Sequence, residues 1–180
     1  SEVDEVLETI ERIVREVKKL VKRSVEESER LVDEVEKLVE KSVREIKEIV
    51  DRIRDMKTKG GKDLEKLLDT MLEKVERLSR KTETEIEKIE RDDRELSERT
   101  KRELEKLRET VKRLVDELRR AGAEREKVER VLEEARRVIE EVEREDDDAH
   151  RKSKEVLKRV LEKDRKALED AKKVVEEVKR

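Results

Sequence analysis

Residues 58–63 read Thr58-Lys59-Gly60-Gly61-Lys62-Asp63, and this short polar stretch decides how the chain is divided. Glycine just past a helix end supplies the left-handed backbone that closes the last turn, and an aspartate after it is a good N-cap for the next helix. The chain has only three glycines, and the third lies in Arg120-Ala121-Gly122-Ala123. Ser1 is the analogous N-cap at the start. Together these signals predict three helices of nearly equal length, at about 2–58, 64–120 and 124–180. Connections this short force neighbouring helices to run antiparallel. The expected fold is all-α: a single-chain, antiparallel, up-down-up three-helix bundle with coiled-coil-like packing, one domain over residues 1–180.

The apolar pattern inside the first segment agrees. An inward seam reads Val3, Leu7, Ile10, Val14, Val17, Val21, Ser24, Ser28, Leu31, Val35, Leu38 and Ser42. Its steps alternate between four and three residues, the period of a coiled-coil seam. Val6, Ile13, Leu20, Val32 and Val39 flank the seam and widen the stripe to the breadth of a bundle core. Beyond Ser42 it continues through Ile46, Ile49, Ile53 and Met56, with one extra four-residue step that relaxes the supercoil locally.

Register follows from the turns. Antiparallel packing about the first turn makes facing residues of the first two helices sum to about 121, and the third helix then lies beside the first at an offset of about 122. Apolar triplets obey both rules: Ile10/Val111/Leu132, Val17/Leu104/Ile139, Val35/Ile86/Leu157, Ile49/Leu72/Ala171 and Ile53/Leu68/Val175. The same rules gather the seam residues that are not apolar. Ser24 falls beside Ser97 and Asp146, and Ser28 beside Asp93 and His150, with Thr100 and Ser153 adjoining. A second group joins Ser42, Ser79 and Asp164, with Thr82 one turn away. Each group holds hydrogen-bond donors and acceptors together. Polar layers at unequal heights penalise sliding by a heptad, because slippage buries their groups unpaired.

Composition narrows the class further. Charged residues make up 58% and hydrophobic residues 32%, a balance that suggests disorder until the helical period of the apolar residues is seen. The chain lacks Pro, Cys, Trp, Tyr, Phe, Asn and Gln. Absence of proline alone has a chance on the order of 10⁻⁴ in an average chain of this length. The net charge of −3, with both signs interspersed and no aromatic residue for base stacking, argues against nucleic acid as a partner. No apolar run approaches membrane-spanning length, and no signal-like segment opens the chain. A soluble monomer is expected, cytoplasmic on recombinant expression, with no native compartment to assign.

The equal helices, the turn at 59–63 and the Ser/Thr/Asp/His layers within aliphatic seams resemble de novo designed helical bundles built on parametric backbones with buried hydrogen-bond networks. The resemblance covers the whole chain. It implies a structural scaffold with no enzymatic activity, no cofactor and no required partner. Some members of that class are oligomers or cage-and-latch switches, so the alternative is an interaction component presenting a groove to a partner helix.

Sharper readings centre on His150, the only histidine. Asp146 lies one turn back and Asp93 opposite, which suggests a metal site or an acid–base pair. No second His or Cys completes a familiar ligand set, and no nucleophile or oxyanion donor accompanies it. A histidine holding two carboxylates in a structural network is the preferred reading; a pH switch acting between pH 7.5 and 5 is the milder functional one. The run Glu145-Asp146-Asp147-Asp148 lies mid-helix, where consecutive side chains diverge and cannot wrap a calcium ion. Asp146 is expected to face inward, and Asp147 and Asp148 outward.

Overall fold

A computed structural model describes residues 1–61 and 63–180. Three helices follow one another: α1 (Glu2–Lys59), α2 (Leu64–Arg120) and α3 (Arg125–Lys179). The boundaries match the sequence reading to within a residue. α1 extends through Lys59. α3 begins at Arg125 because Glu124 is the capping residue, its carbonyl accepting the Val128 amide at 3.1 Å. Lys62, the fourth residue of the predicted 59–63 turn, lies outside the described residues. Ser1 caps α1 as expected: its Oγ accepts the Asp4 amide at 3.3 Å, and its carbonyl accepts that of Glu5 at 3.2 Å.

Both turns use glycine where the backbone turns left-handed. Gly60 has φ 54° and Gly122 has φ 81°. At the second turn the Gly122 amide donates to the Arg119 carbonyl at 3.2 Å, and that of Ala123 to the Leu118 carbonyl at 3.1 Å. These two bonds form a Schellman closure, which satisfies carbonyls that the ending helix would otherwise leave open. Ala123 packs onto the apolar cluster that contains Leu118, the hydrophobic contact that accompanies such a closure. At the first turn the Asp63 carbonyl accepts the Leu67 amide at 3.0 Å and so starts α2.

The chain divides into two compact units, each built from a piece of all three helices. The first comprises Ser1–Glu29 with Asp92–Lys152; the second comprises Arg30–Arg91 with Ser153–Arg180. In the first unit, Val6, Ile10, Ile13, Val17 and Val21 of α1 pack with Leu104, Val111, Val115 and Leu118 of α2 and with Val128, Ala135, Ile139 and Val142 of α3. The second unit has two clusters, one around Leu31, Val35, Val39, Ile86 and Leu157 and one around Ile46, Ile53, Leu68, Val75 and Val175. Each apolar triplet read from the register falls inside a single cluster. Full burial of one such side chain stabilises by about 1.5–3 kcal/mol, and β-branched Val and Ile are nearly fixed at χ1 in a helix, so they fill these positions at small entropic cost.

The structure moves the centre of the α1 stripe. Val6, Ile13 and Val39, read as flanking, are buried, whereas the seam residues Leu7, Val14 and Leu38 are half-buried. A helix that faces two neighbours buries the middle of a broad stripe, and a two-stranded seam is too narrow to locate that middle. Among the described residues, no helix is long and apolar enough to cross a membrane.

Gly122 gives a clean test of the turn. A Cβ added there meets nothing within 4 Å, so only the backbone resists it. Gly122→Ala is expected to destabilise by about 1 kcal/mol in denaturant unfolding, whereas D-alanine introduced by chemical synthesis, which favours positive φ, should cost nothing.

Candidate functional site

The polar seam residues assemble within each unit by itself. In the first unit the layer draws on all three helices. The Ser28 hydroxyl of α1 donates to Asp93 Oδ1 of α2 at 2.6 Å, and His150 Nδ1 of α3 lies 2.9 Å from the same oxygen. On its other edge, His150 Nε2 lies 3.2 Å from Asp146 Oδ1, one helical turn back, and 3.0 Å from Ser24 Oγ of α1. Ser24 in turn donates to Asp146 Oδ1 at 2.6 Å. The imidazole is thus bracketed by two carboxylates, one at each ring nitrogen.

The second unit repeats the idea with different chemistry. Asp164 of α3 is fully buried and accepts from Ser79 of α2 at 2.8 Å and from Ser42 of α1 at 3.4 Å, through different carboxylate oxygens. Thr82 of α2 lies behind Ser42, its hydroxyl 3.0 Å from both Ser42 Oγ and the Leu78 carbonyl of its own helix. Ser24–Asp146 in one unit and Ser42–Asp164 in the other each join residues 122 apart, the offset read from the sequence.

Two of the residues grouped by the register stand apart from these bonds. Thr100 is buried, but its hydroxyl donates to the Leu96 carbonyl one turn back at 2.9 Å. Ser97 is half-buried, and no hydrogen bond joins it to Ser24 or Asp146. Ser153 is buried at the start of α3's share of the second unit. Asp147 and Asp148 face solvent as expected, pairing with Lys101 at 3.2 Å and with Arg151.

Electrostatics differ between the two layers. Burial by itself lowers the His150 pKa, but hydrogen bonds to Asp146 and Asp93, reinforced by their charges, overcome it and push the value from 6.5 up to about 9. Two carboxylates against one imidazole decide that contest. Among the described residues no cation is bonded to Asp164. Burial raises its carboxyl above the ordinary 3.8, more than the hydrogen bonds from Ser79 and Ser42 lower it. One further contact escaped the sequence reading: Arg108 of α2 bridges Glu143 of α3 at 2.7 Å and Glu105 of its own helix at 2.6 Å. The Glu143 hydrogen bond is the main cause that holds this guanidinium above its ordinary value.

The bracketing leaves His150 poorly placed for a metal, because each ring nitrogen already faces a carboxylate on its own side. Among the described residues no group of three or more His, Cys, Asp or Glu side chains is arranged to hold a metal ion.

No protein-family model matches the chain, and neither does any curated protein. Among solved structures it is similar to one described as a computationally designed three helix bundle, with a TM-score of 0.67 and 19% sequence identity, covering 98% of this chain and 87% of that one. At this identity the likeness is one of fold.

Asp93→Leu removes an acceptor shared by Ser28 and His150 and is expected to cost about 3 kcal/mol, against about 1 kcal/mol for Ser28→Ala, read from denaturant midpoints. Asp164→Asn carries a sign that pH reveals. A carboxyl raised on folding contributes most below its unfolded value of about 3.8, and that contribution is lost as pH rises through the folded value. The asparagine variant should therefore be the more stable at pH 7, with its advantage shrinking as thermal melts are taken toward pH 3.

Proposed function

We propose that this chain is a designed structural scaffold, a single three-helix-bundle domain over residues 1–180, monomeric and without enzymatic activity or cofactor. Its buried side chains act as register marks. The observation that carries this reading is the convergence of hydroxyls and carboxylates from all three helices on shared levels, Ser28–Asp93–His150 in one unit and Ser42–Ser79–Asp164 in the other. A Val/Leu/Ile core tolerates sliding by whole heptads, since one aliphatic layer resembles the next. Moving α3 by a heptad would withdraw Asp164 from Ser42 and Ser79 and leave a buried carboxylate without donors, a state costing several kcal/mol. In this reading Ser97 and Thr100 complete the polar level of the first layer, Thr100 by occupying its own helix's carbonyl, and Ser153 is a polar seam residue of the second unit.

Several features support a structural role over chemistry. His150 has both ring edges occupied, by Asp93 on one side and by Asp146 and Ser24 on the other. The likeness in fold to a designed bundle points the same way. The missing proline and aromatics are types a restricted helical palette would omit.

One observation favours the second reading, an interaction component offering a groove to a partner helix. Leu67 is 47% exposed, the one large hydrophobic side chain so placed among the described residues. With Met56 and Leu64 it lines an open groove of about 810 Å³ next to the first turn. The outer positions elsewhere are overwhelmingly charged, and a single leucine is a small anchor, so the scaffold reading stands first.

Replacing the first layer by hydrocarbon tests the assignment. The triple variant Ser28→Val, Asp93→Leu, His150→Leu should keep its helicity, yet unfold over a broader range with more than one species in NMR spectra. A variant indistinguishable from the parent in every respect would remove the register role. Light scattering after size exclusion should give one peak at 21.6 kDa, and a dimer mass that returns to monomer on Leu67→Lys would favour the interaction reading instead.

A further inference from the structure

We infer that His150 is a proton-dependent clasp: α1, α2 and α3 are joined at this level of the first unit only while both ring nitrogens carry a proton, and alkali releases them. The argument rests on counting hydrogens. Nδ1 faces Asp93 Oδ1 at 2.9 Å, an oxygen that already receives the Ser28 proton at 2.6 Å. Nε2 faces Asp146 Oδ1 at 3.2 Å and Ser24 Oγ at 3.0 Å. The single hydroxyl proton of Ser24 is directed at Asp146, at 2.6 Å. Each nitrogen therefore meets only acceptors, and a doubly protonated ring satisfies all of these contacts at once.

A neutral ring does not. If Nδ1 keeps its proton, the Nε2 lone pair confronts Asp146 Oδ1, and the Ser24 proton must serve either the nitrogen or the carboxylate. One of them is then left without a donor. Asp146 has no reserve: it is 1% exposed, and its Oδ2 is the one buried side-chain polar atom without a partner among the described residues. The groups facing the ring are the neutral hydroxyls of Ser24 and Ser28 from α1, the Asp93 carboxylate from α2 and the Asp146 carboxylate from α3 itself. Deprotonation leaves those two carboxylates facing each other across an uncharged ring, in a core where desolvation penalises both.

The direction of the pH effect follows from linkage. The ring's folded value, about 9, lies above its ordinary 6.5, so the stability it contributes is complete below about pH 6.5 and is lost as pH rises through about 9. Mild acid, the window expected of a histidine switch from sequence, leaves the clasp closed. Between those limits each pH unit multiplies the opening constant by up to about tenfold. The second unit's layer has no imidazole to lose.

The test reads the ring and the backbone together. Nitrogen-15 NMR of His150 should show both ring nitrogens protonated at pH 7.5, with a midpoint near 9. Amide hydrogen exchange near Ser24–Ser28, Asp93 and Asp146–His150, corrected for intrinsic rates, should report opening constants that climb up to about tenfold per pH unit from pH 7 to 9 and then level off. His150→Gln, which cannot titrate, should flatten that profile. A single neutral tautomer at pH 7.5, or a parent profile as flat as that of the glutamine variant, overturns the inference. If His150→Gln does not fold, the ring titration and the parent's own exchange profile decide alone.

Discussion

A hydroxyl or carboxylate placed in a core of valine, leucine and isoleucine has no water to fall back on, and in a helix the backbone amides near it are already taken. It must find its partner on another helix or reach back to a carbonyl of its own. The arrangement of this chain follows from that constraint. Ser28 finds Asp93, Ser24 finds Asp146, and Asp164 takes one bond from each of the other two helices. Aliphatic side chains set how closely helices approach but say little about which turn meets which. Hydrogen bonds of 2.6–3.4 Å leave no such freedom, because a displacement of one residue's rise breaks them.

The two layers satisfy the same constraint with opposite electrostatics. In the first unit a cation stands between two carboxylates, and the attraction outweighs the burial that would otherwise neutralise the ring. In the second, a lone carboxyl depends on hydroxyl dipoles, and burial prevails. Serine and threonine are weak partners for a charge, and their donors here are two for four lone-pair sites. The outer ion pairs contribute far less. Arg108 with Glu143 and Lys179 with Asp69 join helices across partly wetted surface, where water and salt screen them and exposed pairs are worth about 0–1 kcal/mol.

Most of this was legible before any coordinates. Gly60 and Gly122 announce the turns because few other residues adopt positive φ without strain, and the helical period exposes the seams. From turns of known length the register follows by counting, which is why Ser24–Asp146 and Ser28–Asp93 were identifiable as pairs. What counting misses is where a side chain points. Thr100 stands at the correct level, but a threonine in a helix has its own i−4 carbonyl within reach and bonds it. Ser97 is at the correct height yet only half-buried, since register fixes a residue's level and not its angle around the helix. The centre of the α1 stripe shifts from Leu7 and Val14 to Val6 and Ile13 because α1 faces two neighbours and buries the middle of its stripe. The Arg108 bridge escaped because long flexible side chains on the flanks span several residues and follow no core register. The proton count at His150 needed distances on both edges of the ring, which periodicity does not contain.

Each layer takes its last member from α3. Asp146, His150 and Asp164 all follow residue 124, whereas their serine and threonine partners and Asp93 lie in the first two helices. A ribosome making 5–20 residues per second therefore exposes α1 and α2 for several seconds before the groups that complete the layers emerge. During that interval the nascent hairpin carries Ser24, Ser42 and Ser79 toward water with their eventual carboxylate acceptors unmade. Neither unit can close from the N-terminus outward. Each layer is completed only once its α3 member has emerged, so a chain truncated within α3 would lose the layers in reverse order of synthesis, Asp164 before His150.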